Sequence, residues 1–248
     1  MILAISDLHL SGAAPKPMDL FGPQWREHDR RMAENWDAAV GEDDLVLVPG
    51  DISWAMDLGE AAPDLAWLGE RPGRKLILRG NHDFWWKSVK KVRAALPPGV
   101  FALQNDAYVD EAAGVAVAGT RLWALPELAP LLDEEAALEE EVRDPVHDAK
   151  MVERELARLE LSLQRLPEGD LIRVAMLHYP PTDAALRETG ATRLLEKYGV
   201  ALCVFGHLHH MGPSADFGGT RNGVRYRLVS CDHLGFAPAR LELPRHRP

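Results

Sequence analysis

The chain has 248 residues, 46% hydrophobic and 27% charged, with a formal net charge of −10. These values exclude a disordered or fibrous chain and suit one α/β domain, or one domain with a small appendage. The acidity argues against a surface that grips nucleic-acid backbone, which needs clustered Lys and Arg. It leaves room for small anions, because a metal site supplies its own local positive charge.

Short β-branched or Leu-rich runs at Ile2–Ser6, Leu45–Pro49, Lys75–Arg79, Gly114–Ala118, Ile172–Leu177, Val200–Phe205 and Arg225–Ser230 predict strands. They are continuous apolar strings rather than alternating ones, as expected for strands buried on both faces. Helical patterns fall between them at His28–Val40, Leu58–Gly69, Trp85–Leu96 and Pro145–Leu166. In the last, Asp144 is placed to cap, Pro145 fits the first turn, and Val152, Leu156, Leu159, Leu163 and Leu166 line one face before Pro167 and Gly169 end it. The acidic run Asp133–Glu141 reads as a solvated helical face. The alternation predicts an α/β layered domain over 1–248, with a candidate helical insertion at about 122–168 whose first part, Leu122 to Arg143, would shield the site.

Cys203 and Cys231 sit in apolar runs and read as buried, reduced thiols. The N-terminal MILAISDLHLSG has no basic leader, and no apolar run is long enough to span a membrane, so the expected compartment is the cytoplasm.

Five polar motifs each follow a predicted strand directly. They are Asp7-Leu8-His9, Gly50-Asp51, Gly80-Asn81-His82-Asp83, His178, and Gly206-His207-Leu208-His209. In layered α/β sheets the crevice beyond the carboxyl ends of the strands is where ligands bind. Five of the chain's 10 histidines (9, 82, 178, 207 and 209) fall in these motifs. Asp, Asn and neutral His are oxygen and nitrogen ligands for divalent Mn, Fe, Zn or Ni, whereas the Cys-rich set of a structural zinc site is absent. Taken singly, an Asp-x-His is a common triplet, a Gly-Asp is usually a turn, and a lone strand-end His is usually a hydrogen-bonded core residue. The ordered set at five strand ends is what favours a metal site.

This series resembles the calcineurin-like metallophosphoesterase superfamily over Asp7 to His209, and GDISWAMDL and RGNHDFWW are similar to a bacterial branch labelled predicted phosphohydrolase. The resemblance implies a four-layer αββα sandwich, two mixed β-sheets flanked by helices. It implies two divalent metal ions, with manganese first and iron, zinc or nickel as alternatives. Asp7, His9 and His209 would hold one metal, Asp51 would bridge both, and Asn81, His178 and His207 would complete the second. His82 would face the substrate phosphate and, with Asp51, form the catalytic pair. The implied reaction is hydrolysis of a phosphodiester or phosphomonoester of a small substrate by a hydroxide held between the metals.

Departures narrow the substrate. Purple acid phosphatases place a Tyr ligand shortly after the bridging Asp, where this chain has Ile52-Ser53-Trp54. Several cyclic-nucleotide phosphodiesterase and lipid-precursor pyrophosphatase branches carry Asp or Asn where Trp54 stands, and the phosphate-gripping arginines of the protein phosphatases have no match. Two readings stand for Asp83, orienting a neighbouring group or capping the next helix. Two stand also for Trp25 and His28 (pocket lining or helix start), for Trp54, Phe84, Trp85 and Trp86 (site wall or core), and for Arg121 (phosphate contact or surface). His210 and His233 are assigned no role. The competing functions are a nuclease of the same fold, disfavoured by charge, and a non-catalytic scaffold, disfavoured because no motif residue is missing.

Overall fold

The computed structural model describes residues 1–13, 15–131, 145–209 and 217–243. Strands β1 (Ile2–Ala4), β2 (Leu45–Val48), β3 (Arg74–Ile77), β4 (Val100–Ala102) and β11 (Ala239–Arg240) form one sheet in the order β11-β1-β2-β3-β4. Strands β5 (Ala107–Asp110), β6 (Val115–Thr120), β7 (Ile172–Leu177), β8 (Leu202–Phe205), β9 (Gly218–Arg221) and β10 (Val224–Leu228) form the other, in the order β5-β6-β7-β8-β10-β9. Both sheets are mixed: β1 to β4 run parallel with β11 antiparallel, and β6, β7, β8 and β10 run parallel with β5 and β9 antiparallel.

Side chains alternate across each strand, and three apolar layers follow. Leu3, Val46 and Ile77 face outward onto helices α1 (His28–Ala39), α2 (Ala62–Glu70) and α3 (Val89–Ala95), packing with Met32, Trp36, Leu65 and Val92. Ile2, Ala4, Leu45, Leu47 and Leu76 face the opposite way, onto Val117, Val174, Met176 and Val204 of the second sheet. That sheet's outer residues, among them Ala118, Ala175, Leu177 and Phe205, pack beneath α4 (Pro145–Leu163) and α5 (Gly190–Lys197) through Leu159, Leu163, Ala191 and Leu195. The result is the expected αββα sandwich, and the double-sided burial explains why the strand sequences are unbroken apolar runs.

The parallel registers set Ala4 beside Leu47, Val48 beside Ile77, and Leu177 between Thr120 and Phe205, so the carboxyl ends of these strands finish level. The loops that follow therefore open onto one edge of the sandwich.

The elements depart from expectation in places. Helix α2 starts at Ala62 rather than Leu58, and α3 at Val89 rather than Trp85, because Trp85 and Trp86 turn into the core at 1% exposure each. Strands β4, β5, β9 and β11 and helix α5 carry no clear pattern in the sequence. Helix α5 opens on Gly190, and its start is instead marked by Thr189, whose hydroxyl accepts from the Thr192 N–H while Thr192 answers in a capping box. Within the candidate insertion, α4 is the helical layer over the second sheet. The acidic run Asp133–Glu141, the Asp144 cap and His210 lie outside the described residues.

Candidate metal centre

The strand-tip motifs converge. Asp7, His9 and His209 bring one oxygen or nitrogen each to within 4.8 Å of one another, and so do Asp7, Asp51 and His178. Asp51 Oδ2 stands 3.9 Å from His9 Nε2 on one side and 3.5 Å from His178 Nε2 on the other. Asn81 Oδ1 faces both the His178 ring, which it touches at Nε2, and His207 Nδ1 at 3.2 Å. All seven residues in which the motifs suggest ligands thus surround one small volume.

Local backbone is bent to make this possible. Asp7, His9, Asp51 and His207 have φ of +58°, +46°, +52° and +73°. For residues bearing a Cβ such conformations cost roughly 1–2 kcal/mol each, and they concentrate where function requires them. Two glycines allow the loops to touch. A Cβ on Gly80 would lie 2.0 Å from Asp51 Oδ1, and one on Gly206 would lie 2.4 Å from Asp7 Oδ2. Asp7 in turn accepts the His207 backbone N–H at 3.0–3.1 Å, which pins the last motif to the first.

Hydrogen bonds behind the rings fix which nitrogens look inward. His178 Nδ1 lies 3.0 Å from the Pro49 carbonyl, and His209 Nδ1 lies 3.0 Å from Asp232 Oδ1. Each partner only accepts, so each Nδ1 carries the proton and each Nε2 turns a lone pair to the centre. His9 Nε2 then faces His209 Nε2 at 3.3 Å. The lining is a wall of acceptors: two carboxylates, an amide oxygen and imidazole lone pairs. Burial, reinforced by the neighbouring Asp7 and Asp83 charges, pushes Asp51 well above the usual carboxylate range. Burial, with His209, His82 and other rings adding to it, holds His9 well below the usual imidazole range. A cluster of oxygen and nitrogen acceptors with this charge pattern fits divalent cations and little else.

His82 stands beside this cluster. Its backbone N–H donates to Asp51 Oδ1 at 2.9 Å, and its ring lies 5.7 Å from His9 and 4.4 Å from Trp54. Burial, with a smaller push from Lys16, lowers the ring to about 4, and burial brings His178 to about 4 as well. Both rings are neutral above pH 6. The unfolded chain takes these protons near 6.5, so each ring withdraws stability from the metal-free fold as pH falls from 6.5 to about 4, and neither does so above 6.5. In NMR titrations of the metal-free protein both rings are expected to have midpoints near 4; a midpoint near 6.5 for either would contradict its environment.

The structure places the residues for which two readings stood. Asp83 caps no helix, since α3 begins at Val89 after Ser88. Its fully buried carboxylate instead accepts N–H groups from Gly80, Asp51, Ile52 and Ser53 at 2.7–3.2 Å, and the Trp85 indole at 2.9 Å. It clamps the Asp51 loop to the Asn81 loop. His28 is buried, with Nε2 3.1 Å from the Leu8 carbonyl and 3.3 Å from that of His9, and so supports the first motif from behind. Trp25 meets His9 and His209 edge-on at 5.8 and 5.5 Å, and Trp54 stacks on His9 at 4.9 Å. Phe84 is exposed, 6.2 Å from His82, whereas Trp85 and Trp86 are core. Arg121 leaves β6 beside His178, with its guanidinium 4.7 Å over Trp123.

Asp232 escaped the sequence reading. It orients His209, and the adjacent Cys231 thiol donates to the Asp7 carbonyl at 2.9 Å. Only the SCD run at the end of β10 hints at it. Outer carboxylates of this kind fix ring orientation and raise ligand basicity. Asp232→Asn is expected to weaken divalent-metal binding by about 10–100-fold in calorimetry, with the fold intact. Unchanged affinity would reduce Asp232 to a surface partner.

A family model described as calcineurin-like phosphoesterase matches residues 1–211. The chain belongs to the calcineurin-like phosphoesterase family. The gene 66 protein of Mycobacterium phage L5 is 40% identical over 78 residues, 32% of this chain and 37% of that protein. The gene 66 protein of phage D29 is 43% identical over 79 residues, 32% of this chain and 38% of that protein. The match therefore spans less than two fifths of either relative. Among solved structures, phosphopantetheinyl hydrolase from Mycobacterium tuberculosis is similar with a TM-score of 0.56 and 17% identity, over 100% of this chain and 98% of that one. At that identity the likeness is one of fold. No helix among the described residues is long and apolar enough to cross a membrane.

Proposed function

We propose that this calcineurin-like phosphoesterase is a dinuclear enzyme that hydrolyses phosphodiester or phosphomonoester bonds of small substrates. The observation that carries this reading is the placing of Asp51 Oδ2 between His9 Nε2 and His178 Nε2, inside a wall of acceptors. Asp7, His9 and His209 would hold one cation, Asn81, His178 and His207 the other, and Asp51 would serve both. The oxygen and nitrogen donors suit manganese first, then iron, zinc or nickel. When bound, the pair supplies Lewis acidity, neutralising charge on the phosphoryl oxygens and acidifying water near neutral pH.

The chain's own groups do the rest. Asp51 holds the His82 loop through the His82 N–H, so the residue serving both cations also positions the substrate-facing ring. His82 is neutral in the resting site and offers an N–H to the departing oxygen. An anionic ester beside it favours the protonated ring, so the proton passed to the leaving group is taken up along with the substrate. The Asp83 clamp keeps the Asp51 and Asn81 loops in register through this exchange of charge. The net charge of −10 favours a small ester over a nucleic-acid polymer, and the two buried, unpaired thiols suit a cytoplasmic setting.

The test is hydrolysis of bis-p-nitrophenyl phosphate beside p-nitrophenyl phosphate, by protein stripped of metal and then resupplied with Mn²⁺. Metal-dependent turnover is expected. No turnover of either ester with Mn²⁺, Zn²⁺, Fe²⁺ or Ni²⁺ would turn the reading to a binding scaffold.

A further inference from the structure

Lys16 Nζ sits 3.0 Å from the centroid of the Trp54 ring, and the same ring is stacked on His9 at 4.9 Å with an interplanar angle of 22°. Two groups at those distances cannot share one face of an indole, so the ammonium occupies the face turned away from His9. Lys16 and the His9 ring are thus separated by the thickness of an aromatic ring. The ammonium is close to the reacting end without being part of it.

On the Lys16 side lies a cavity of about 400 Å³, lined by Lys16, Met18, Trp25, Arg26 and Trp67 among others. It shares Trp25 with the centre, since that indole meets His9 and His209 edge-on. Trp25 is 2% exposed, and its Nε1 is buried with no hydrogen-bond partner among the described residues. A buried N–H left without an acceptor is costly and rare, and here it belongs to a side chain that lines an open cavity. Acidic side chains also line the cavity. Glu27 pairs with Arg30 at 3.1 Å, and Asp64 accepts from Ser53 and from the Gly12 N–H. Asp19 and Asp29 line it as well, and the cations of its lining are Lys16 and Arg26.

We infer that this cavity is a subsite for the part of the ester that does not react, and that Lys16 receives there a second anionic group on the substrate. The substrate class is a phosphate ester bearing a further phosphate or carboxylate, with its carbon skeleton against Met18, Trp25 and Trp67. Lys16 is a specificity-determining residue: it selects which ester is held and does not touch the reacting atoms. Its charge nonetheless reaches His82, whose proton affinity it lowers. The inference rests on the preceding reading that the reacting phosphoryl binds at the ligand cluster.

The test is calorimetric binding of α,ω-alkanebisphosphonates of three to six carbons, non-hydrolysable stand-ins for the bisphosphate, each beside its ω-hydroxyalkyl phosphonate in place of the monophosphate, to the Mn²⁺-loaded protein. At one chain length the bisphosphonate is expected to bind roughly tenfold tighter than the hydroxyalkyl phosphonate, as for one added charged hydrogen bond. That ratio should fall to about one in Lys16→Gln and return in Lys16→Arg. No preference at any length, or a preference unchanged in Lys16→Gln, overturns the subsite. Because binding is read without turnover, the two readings fail separately. A Lys16-dependent preference in a protein that hydrolyses nothing keeps the subsite and removes the hydrolase. Turnover of bis-p-nitrophenyl phosphate with a ratio of one does the reverse.

Discussion

Asp51→Asn is expected to abolish turnover while making the metal-free protein more stable. Asn keeps the side-chain oxygen that accepts the His82 N–H, so the substitution removes charge and little else. The lost carboxylate faces both His9 and His178, so the loss in kcat/KM should reach about 10³-fold or more, over ~4 kcal/mol of transition-state stabilisation. Bound metal should fall from two ions per chain to one or none by elemental analysis. The metal-free fold, however, carries Asp51 fully buried beside Asp7, and this crowding is what drives its proton affinity up. Relieving it should add roughly 0.5–2 kcal/mol, as is common when a functional charge is removed from its site. An inactive variant that is also less stable without metal would show that Asp51 has a structural task beyond holding cations.

Asp83, another fully buried aspartate nearby, should behave in the opposite way. Asp83→Ala leaves the N–H groups of Gly80, Asp51, Ile52 and Ser53 and the Trp85 indole without their acceptor. An unsatisfied buried donor costs about 1–3 kcal/mol, and water entering the vacated space recovers part of that. A net loss of roughly 3–5 kcal/mol is expected, which for a chain of this length lowers Tm by about 10 °C. Chemical denaturation of wild type and variant at equal metal content measures it. A loss under about 0.5 kcal/mol would mean that the two loops are held by their own packing and not by the clamp. Two buried carboxylates in neighbouring loops would thus divide the work, one held at a cost for binding and the other holding the frame.

How much of this was readable beforehand depended on how rare each signal was. Asp7, His9, Asp51, Asn81, His178, His207 and His209 are polar residues placed abruptly at the ends of apolar runs, and such interruptions stand out in any sequence. The sandwich was legible for a related reason: strands buried on both faces leave no alternation, so Leu45–Val48 and Leu202–Phe205 could only be interior. Asp83 carried two readings because three of the residues it binds lie about 30 positions earlier, and only the fold brings them together. Asp232 and Lys16 were invisible for the same reason. Asp232 meets His209 across 23 residues, and Lys16 lies in a Pro-rich loop whose relation to Trp54 no periodicity encodes. Strand β9 begins with two glycines and β11 has two residues, too little for any propensity to register.

The division of the ligands between the two sheets sets an order in biosynthesis. Asp7, His9, Asp51 and Asn81 belong to the first sheet, whereas His178, the next to appear, lies 97 residues beyond Asn81. At ordinary translation rates the second set leaves the ribosome roughly 5–20 s after the first. Throughout that interval the nascent chain presents half a site, two carboxylates with one imidazole and one amide and nothing opposite them. Strand β11, which closes the edge of the first sheet against β1, arrives later still. The complete ligand set exists only once His209 has emerged, and ions bound there would act as rivets across the seam between the two sheets.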